Sequence, residues 1–538
     1  QRGGTWTRTL SSPDNTGSQA FLRDYMTDTD TDGWTLGDGD QNGYGFEFLS
    51  SDMQDNQIPD QPVITYIGTN TFPVNDLRFQ TSAFSDPQGT NTFAALSWRI
   101  AEIANPSTTN FNPAKPWKYE ITAEWQSLPI SNVNNQIRIP SDNLKTGRTY
   151  RVRVRMKDNT ERWSHWSDPI EFVSGPANNL LALNNNLRVT EVMYNATPGS
   201  DFDFIEFHNA NTSLVLNLSG VLITEGIDYT FPPDTFLGPG QYIVVAKQPG
   251  AAFDTYYGTN AAPVLGPYSQ NLNNGGENVR VEPPGGGEPI IDFEYAGSRG
   301  WPVSPDGAGH SLIPLIMTNQ TNGRLDYGLH WRASAYIAGS PGEADPRLAE
   351  SVVLNEFAAH TDNFNPSFPL HDSDDWIELY NKAAGPISLA GWYLSDDPDD
   401  LMKWAIPTTN SVGPGGWISF DETTGFHNPL STGFGLDKAG ERIFLSHLPG
   451  TAEDRVVDSV RFKGQENGPT LGRYDNGEFF WYTQVATRNG SNVLAQQDLV
   501  IQEVMYHPAP TTNNPPDNTA DEFIAIHNPT PSAQSLTN

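Results

Sequence analysis

Asp203-Phe204-Ile205-Glu206-Phe207-His208-Asn209 returns as Asp375-Trp376-Ile377-Glu378-Leu379-Tyr380-Asn381, and again as Glu522-Phe523-Ile524-Ala525-Ile526-His527-Asn528. A companion stretch precedes each copy: 189–194 (VTEVMY), 353–357 (VLNEF) and 501–506 (IQEVMY). The companion glutamates, Glu191, Glu356 and Glu503, lie 165 and then 147 residues apart. A recurrence of that length is a whole domain, not a solenoid unit. Both stretches alternate apolar with polar side chains and are rich in aromatic and β-branched residues, which predicts strands. Successive residues then face opposite sides of a sheet. The closing Asn suits a turn, where its side chain bonds nearby backbone and tolerates a left-handed conformation.

The first two copies stay in step beyond this pair. Residues 217–223 (NLSGVLI) answer 388–394 (SLAGWYL), and 237–243 (LGPGQYI) answer 412–418 (VGPGGWI). Further on, 272–281 (LNNGGENVRV) answer 436–445 (LDKAGERIFL), and 291–293 (IDF) answer 457–459 (VDS). Blocks matching in one order identify an internal duplication. This set, an (N/T)E strand, a D-[FW]-I-E-[FL] strand ending in Asn, an L-x-G-[VW] strand and a G-P-G turn before an aromatic, resembles lamin-tail domains. The resemblance implies immunoglobulin-like β-sandwiches, which also occur as repeats in large secreted bacterial proteins. It covers 187–340 and 351–493 and the opening of a third copy over 498–538. There Ala525 replaces the glutamate of the other two copies, so any site role of that glutamate would be missing from the third.

Composition narrows the class. Against 31 Lys and Arg stand 64 Asp and Glu, a net charge of −33, which repels nucleic acid because its binding rests on neutralising phosphates. An acidic surface suits solubility and attracts divalent cations. Aromatic residues make up 11% of the chain, too many for a disordered acidic tail. The absence of cysteine removes disulfides, thiolate metal sites and cysteine nucleophiles together. Secreted animal modules of this kind usually carry disulfides, so a bacterial source reads better. No apolar run approaches the roughly 18 residues of a membrane-spanning helix, and no signal peptide is visible. Beginning at Gln1 and stopping soon after a repeat has opened, the chain reads as a piece of a longer secreted protein.

From the N-terminus, 1–60 is acidic and turn-rich. Asp28, Asp30 and Asp32 precede Gly33, and Asp38, Asp40 and Asn42 precede Gly43. D-x-D-x-[DN]-G opens a calcium loop, where alternate side chains converge on the ion and Gly permits the sharp turn. Two such openings in succession resemble thrombospondin type 3 or dockerin-like repeats, which implies Ca2+ as the ligand. Neither has the glutamate at its twelfth position, where Gly39 and Leu49 stand, and Asp40 or Glu47 is left as a substitute. The competing reading is a solvated acidic linker.

Residues 62–175 form a separate unit, with strands expected at 95–100 and 117–121. Over 147–156 alternation is strict, placing Tyr150, Val152, Val154 and Met156 inward and Arg151, Arg153 and Arg155 outward. Trp163-Ser164-His165-Trp166-Ser167 follows. The stretch is similar to a fibronectin type III domain with the Trp-Ser-x-Trp-Ser box of cytokine receptors. That resemblance implies a cation–π ladder of these arginines on Trp163 and Trp166, a structural device first. Residues 175–186 and 339–346 read as linkers.

An enzyme is not expected. No G-x-S-x-G, H-E-x-x-H, Walker loop or dinucleotide-binding glycine motif is present. Paired carboxylates serve glycoside hydrolysis, but Glu191, Glu206, Glu356 and Glu378 recur in successive modules, where a structural pairing role is the more frequent one. His360 and His371 with Asp372, Asp374 and Asp375 form a second metal candidate, weighed against a solvated acidic loop. Repeat-equivalent His208 and Tyr380 argue for packing. The expectation is therefore an all-β string of immunoglobulin-like and fibronectin-like sandwiches joined by short linkers. It would be extracellular or on the cell surface, structural or adhesive, without a membrane span. Its partners would be proteins or further copies meeting at sheet edges, or a surface polysaccharide met by Trp392, Trp404 and Trp417. The alternative is a set of accessory binding modules of a larger secreted enzyme whose catalytic domain, for example a spore-coat-kinase-like one, lies elsewhere.

Overall fold

The computed structural model describes residues 58–536 apart from 105–121, 133–134, 142–143, 259–261, 299, 319, 321–322, 350, 363–365, 367–372, 428–432, 479–480, 494–498, 507 and 509–518. The candidate calcium ligands Asp28, Asp30, Asp32, Asp38, Asp40 and Asn42 lie outside the described residues, as do the strand expected at 117–121 and His371 with Asp372. The chain divides into two units. The first holds residues up to 302 together with 311–334 and 338–345, and the second holds 303–310, 335–337 and everything from 346.

The first unit contains two sandwiches. In the N-terminal one, β1 (Ile64–Tyr66), β2 (Arg78–Thr81) and β5 (Gln136–Arg138) form one sheet. The other is β4 (Trp125–Gln126), β3 (Phe93–Ala104), β6 (Thr149–Asp158) and β7 (Ile170–Val173), in that order. The alternation of β6 becomes its two faces. Tyr150, Val152, Val154 and Met156 are buried against Trp98 and Phe79, each apolar side chain contributing roughly 1.5–3 kcal/mol. The Lys145 N–H donates to the Tyr150 hydroxyl at 2.8 Å, closing the corner before the strand. On the opposite face the Arg155 guanidinium lies 4.3 Å from the Trp163 ring and 4.5 Å from Trp166, and Lys157 adds to Trp163. Arg155 is thus outward yet buried beneath the indoles. Arg153 instead donates to the Ser167 carbonyl, and Arg151 pairs with Glu171.

The stretch at 175–186 is more than a connector. Helix α1 (Leu180–Asn186) inserts Leu183 into the next core, while Asn179 bonds the Asn217 carbonyl and Asn75 reaches Asn178 and Asn179. Next come β8 (Leu187–Met193), β9 (Phe204–Asn209), β10 (Leu216–Asn217), β11 (Leu222–Glu225), β12 (Tyr229–Thr230), β13 (Phe236–Leu237) and β14 (Tyr242–Ala246). Helix α2 (Ala251–Tyr257), β15 (Val264–Leu265), β16 (Gly276–Glu282), β17 (Ile291–Ala296), β18 (Leu312–Pro314) and β19 (Trp331–Ala333) complete this sandwich. One sheet runs β15-β14-β9-β8-β18-β19 and the other β12-β11-β16-β17, with β10 and β13 paired apart. The core between them includes Ile205, Phe207, Phe231, Val279 and Phe293.

The second unit repeats that topology. Its strands are β20 (Val352–Ala358), β21 (Trp376–Asn381), β22 (Ile387–Ser388), β23 (Trp392–Ser395), β24 (Trp404–Ala405) and β25 (Ser411–Val412). They continue as β26 (Trp417–Asp421), β27 (Arg442–His447), β28 (Arg455–Arg461), β29 (Pro469–Arg473) and β30 (Trp481–Val485). The sheets are β26-β21-β20-β29-β30 and β24-β23-β27-β28, again with a separate pair, β22 and β25. Within this unit Asp306 accepts from both Arg442 and Arg461, and the buried His310 accepts the Val456 N–H. A last hairpin, β31 (Val500–Met505) with β32 (Phe523–His527), leaves Ile501, Val504, Phe523, Ile524 and Ile526 exposed. Among the described residues no helix is long and apolar enough to cross a membrane.

Candidate functional site

Strands β8 and β9 bring the two recurring glutamates together. A bulge at Thr190 shifts the register, so Glu191 stands directly across from Glu206. In the second copy a bulge at Asn355 sets Glu356 across from Glu378. Like charges facing each other across a ladder destabilise a sheet, and buried charge without partners costs far more. All four are at most 1% exposed. The arrangement therefore stands only because other groups satisfy it.

Those groups come from the bulge residue of the first strand and from the end of each module. In the first, Glu191 Oε1 accepts the Ser311 hydroxyl at 2.5 Å and the Ser340 N–H at 3.0 Å, and the Ser340 hydroxyl lies 3.3 Å from Oε2. Glu206 accepts the bulge hydroxyl of Thr190 at 2.5 Å and the Gly342 N–H at 2.5 Å. Asp345, paired with Arg332, accepts the Ser340 hydroxyl at 3.1 Å. In the second module Glu356 accepts the Thr470 hydroxyl at 2.5 Å, the Thr487 N–H at 2.9 Å and the Thr487 hydroxyl at 2.8 Å. Glu378 accepts the bulge amide of Asn355 at 2.9 Å and the Asn489 N–H. Position for position, Ser311 and Thr470, Ser340 and Thr487, Gly342 and Asn489, and Thr190 and Asn355 play the same parts. In the third hairpin Glu503 faces Ala525 after the same bulge, and Glu503 is exposed.

Burial sets the electrostatics. It pushes the Glu191 carboxyl up to about 7, against the serine and amide donors that favour its charge. Burial first, and then the Glu191 charge, raise Glu206 well above the carboxylate range. Burial likewise pushes Glu378 up to about 7. The pair offers no face to a substrate. Each oxygen points at donors of the fold itself.

The other polar residues of the motif are also brackets. Asp203 accepts the Ala196 N–H at 3.1 Å and is pushed up to about 7 by burial. Asp375 accepts from the Thr361 N–H and hydroxyl, and burial pushes it up to about 6. Asn209 donates to the carbonyls of Leu214, Leu237 and Gly238, and Asn381 to those of Gly385 and Val412. Asn528 repeats the turn in the third copy by donating to the Ser532 carbonyl. His208 stacks on Tyr242 with ring centroids 4.3 Å apart, while Tyr380 packs on Trp417.

The remaining candidates disperse. His360 binds the Gln465 carbonyl and lies 3.4 Å from Asp362, whereas Asp374 turns to Thr423 and Asp375 to Thr361. Among the described residues no three His, Asp or Glu side chains converge as a metal site. Trp392 is core, Trp404 packs edge-on against Phe420, and Trp417 is half-buried. The donors Ser311, Ser340, Gly342, Thr470, Thr487 and Asn489 carry no sequence signal of their own. The G-S-P-G at 339–342 reads as linker, and only the pairing of modules shows its counterpart at 486–489.

Comparison with known proteins agrees with part of this picture. The Lamin Tail Domain family matches residues 182–295, which stops short of the donors at 311 and 340–342. No curated protein matches the chain. Among solved structures, a DUF4876 family protein from Bacteroides thetaiotaomicron is similar at 11% identity, over 54% of this chain and 96% of that one, with a TM-score of 0.18. A Salmonella alpha-2-macroglobulin reacted with methylamine aligns at 12% identity over 76% of this chain and 31% of its own length, with a TM-score of 0.12.

Proposed function

We propose that this chain is a non-catalytic structural or adhesive string of modules, fibronectin type III-like first, then two lamin-tail-like sandwiches and the opening of a third, on the outside of a bacterial cell. One observation carries the reading. In the two complete modules the recurring acids that would serve chemistry, Glu191, Glu206, Glu356 and Glu378, are all engaged in holding the module shut. Calcium held by Asp28, Asp30, Asp32, Asp38, Asp40 and Asn42 would stiffen the N-terminal segment, and the strongly acidic surface suits that cation. Partners would be further copies or other proteins met at sheet edges, because unpaired strands template pairing.

The test is the assembly state of the purified chain by sedimentation and negative-stain imaging, with calcium and with a chelator. Higher-order assembly or adhesion that weakens on chelation supports the reading. Turnover of a substrate that Glu206→Gln abolishes, with the fold intact, would refute it. Trp404 and Trp417, each partly exposed, favour a second reading, accessory binding modules of a larger secreted enzyme. A glycan-array signal lost in Trp404→Ala would establish it, and a silent array would remove it.

A further inference from the structure

Each module begins with the strand that bears its first glutamate and ends with the segment that donates to it. Glu191 on β8 and Ser340 are 149 residues apart in sequence, and Glu356 on β20 and Thr487 are 131 apart. The sheet itself joins these two ends through few ladder pairs, supplemented by Gln320 bonding the Val189 N–H and carbonyl and by Asn492 donating to the Asn355 carbonyl. Strand β8 meets β18, the start of the exit hairpin, through a single register pair, Val192 with Leu312. Strand β20 meets β29 through two, Glu356 with Gly472 and Phe357 with Leu471. By contrast β8 pairs with β9 at six positions and β20 with β21 at six, but those ladders lie inside the module. We propose that the paired glutamates form a tension-carrying clasp, through which force entering a module at its first strand passes directly to its exit segment.

The chemistry fits that task. The clasp carboxyl oxygens accept from backbone and hydroxyl donors, and exclusion of water strengthens such bonds. Backbone N–H donors at Ser340, Gly342, Thr487 and Asn489 tie the clasp to the main chain, so load does not run through flexible side-chain stems on the exit side. Two carboxylates on neighbouring strands grip two amides spaced two residues apart. A single bond would let the exit segment pivot. Two resist rotation as well as separation. The bulge before the first glutamate aligns the two acids, and it is present in all three copies. Opening a clasp exposes the whole loop it encloses, so each module should yield as one step.

The inference deepens the structural reading and rests on it for the existence of a load, but its test does not depend on assembly or adhesion. The full chain is held by handles at its two ends in optical tweezers and extended. At about 3.3–3.6 Å per residue, clasp opening releases roughly 490–540 Å for the first lamin-tail-like module and 430–470 Å for the second, less the folded end-to-end distances. Glu191→Ala and Glu356→Ala should lower the force of the corresponding step. The isosteric Glu191→Gln and Glu356→Gln, which keep one acceptor, should lower it less. Val279→Ala and Ile443→Ala, in the opposite sheets of the two modules, serve as controls matched for thermal destabilisation and should leave the force near that of the parent. Should an alanine variant fail to fold, its glutamine counterpart carries the same comparison.

A force unchanged by clasp variants would overturn the proposal. So would a force lowered equally by the matched core variants, or an exit segment that peels away in an earlier small step. Loss of assembly with rupture forces intact would count against the functional reading alone.

Discussion

Gly339→Ala tests the clasp by crowding it. Gly339 sits at φ +71°, a left-handed conformation that costs an L-residue roughly 1–2 kcal/mol. A methyl group there would also overlap the Glu191 carboxylate and approach the Ser311 hydroxyl at 2.9 Å. Glu191 is buried, so its carboxylate can retreat only by releasing its donors. The Ser311 hydroxyl can rotate to another acceptor, but the Ser340 N–H cannot. An orphaned buried donor costs about 1–3 kcal/mol. The sum is roughly 2–5 kcal/mol from the addition of one carbon.

Gly240 supplies the control within the same sandwich. Its φ is +67°, and nothing lies within 4 Å of an added Cβ. Gly240→Ala therefore carries only the backbone cost of about 1–2 kcal/mol. The difference between the two variants isolates the clasp at about 1–3 kcal/mol, or roughly 2–12 °C in the melting of a domain of this size. Calorimetry resolves the module's transition, and amide hydrogen exchange at Ser340 reports the lost bond directly. Equal destabilisation by the two substitutions, with Ser340 exchange unchanged, would refute the reasoning.

Other outcomes follow from the same contacts. Burial raises Glu191, Asp203 and Glu378 to about 7, so their stabilising contribution is complete below the ordinary carboxylate range and is lost as pH rises through 7. Stability should therefore fall between pH 4.5 and 7.5, by on the order of 2–3 kcal/mol for each group and with a falling melting temperature, and Glu378→Gln should flatten the dependence of its module. A rise over that window would contradict the assignment. Arg155→Ala should cost the N-terminal sandwich about 2–4 kcal/mol through two cation–π contacts and lost stem packing, with a red shift in tryptophan emission. Arg155→Met keeps the stem, and stability equal to the parent's would show that the charge contributes nothing. For the proposed calcium loops, calorimetric titration should give binding that Asp30→Asn and Asp40→Asn abolish, and a chain that takes up no heat with calcium would remove the ion from the proposal.

Much of the architecture was legible because strand formation is local. The alternation over 149–156 named the buried face of β6 residue by residue, and the repeated D-[FW]-I-E strand marked both sandwiches at the matching place. Aspartate before that strand and asparagine after it act within a few residues of themselves, so their short spacing could be read as turns. Three things escaped. The helix at 180–186 hides in a run of Leu and Asn that reads as linker, since one buried leucine is enough to dock it. The hairpins β18–β19 and β29–β30 diverge too far between copies to align. The segments 338–345 and 486–489 bond the glutamates largely through backbone amides, at Ser340, Gly342, Thr487 and Asn489, which leave no pattern of side-chain types.

The sequence by itself determined that the chain is built of β-strands and that two strand motifs, each with a glutamate, recur along it, because periodicity and repetition survive without knowledge of distance. Whether those glutamates work on a substrate or hold the fold together depended on what lies across from them. Their partners are 120 to 149 residues away in the first module, and backbone amides have no letter in the sequence. Only the closed structure places acid against acid and amide against both, where burial leaves no room for anything else.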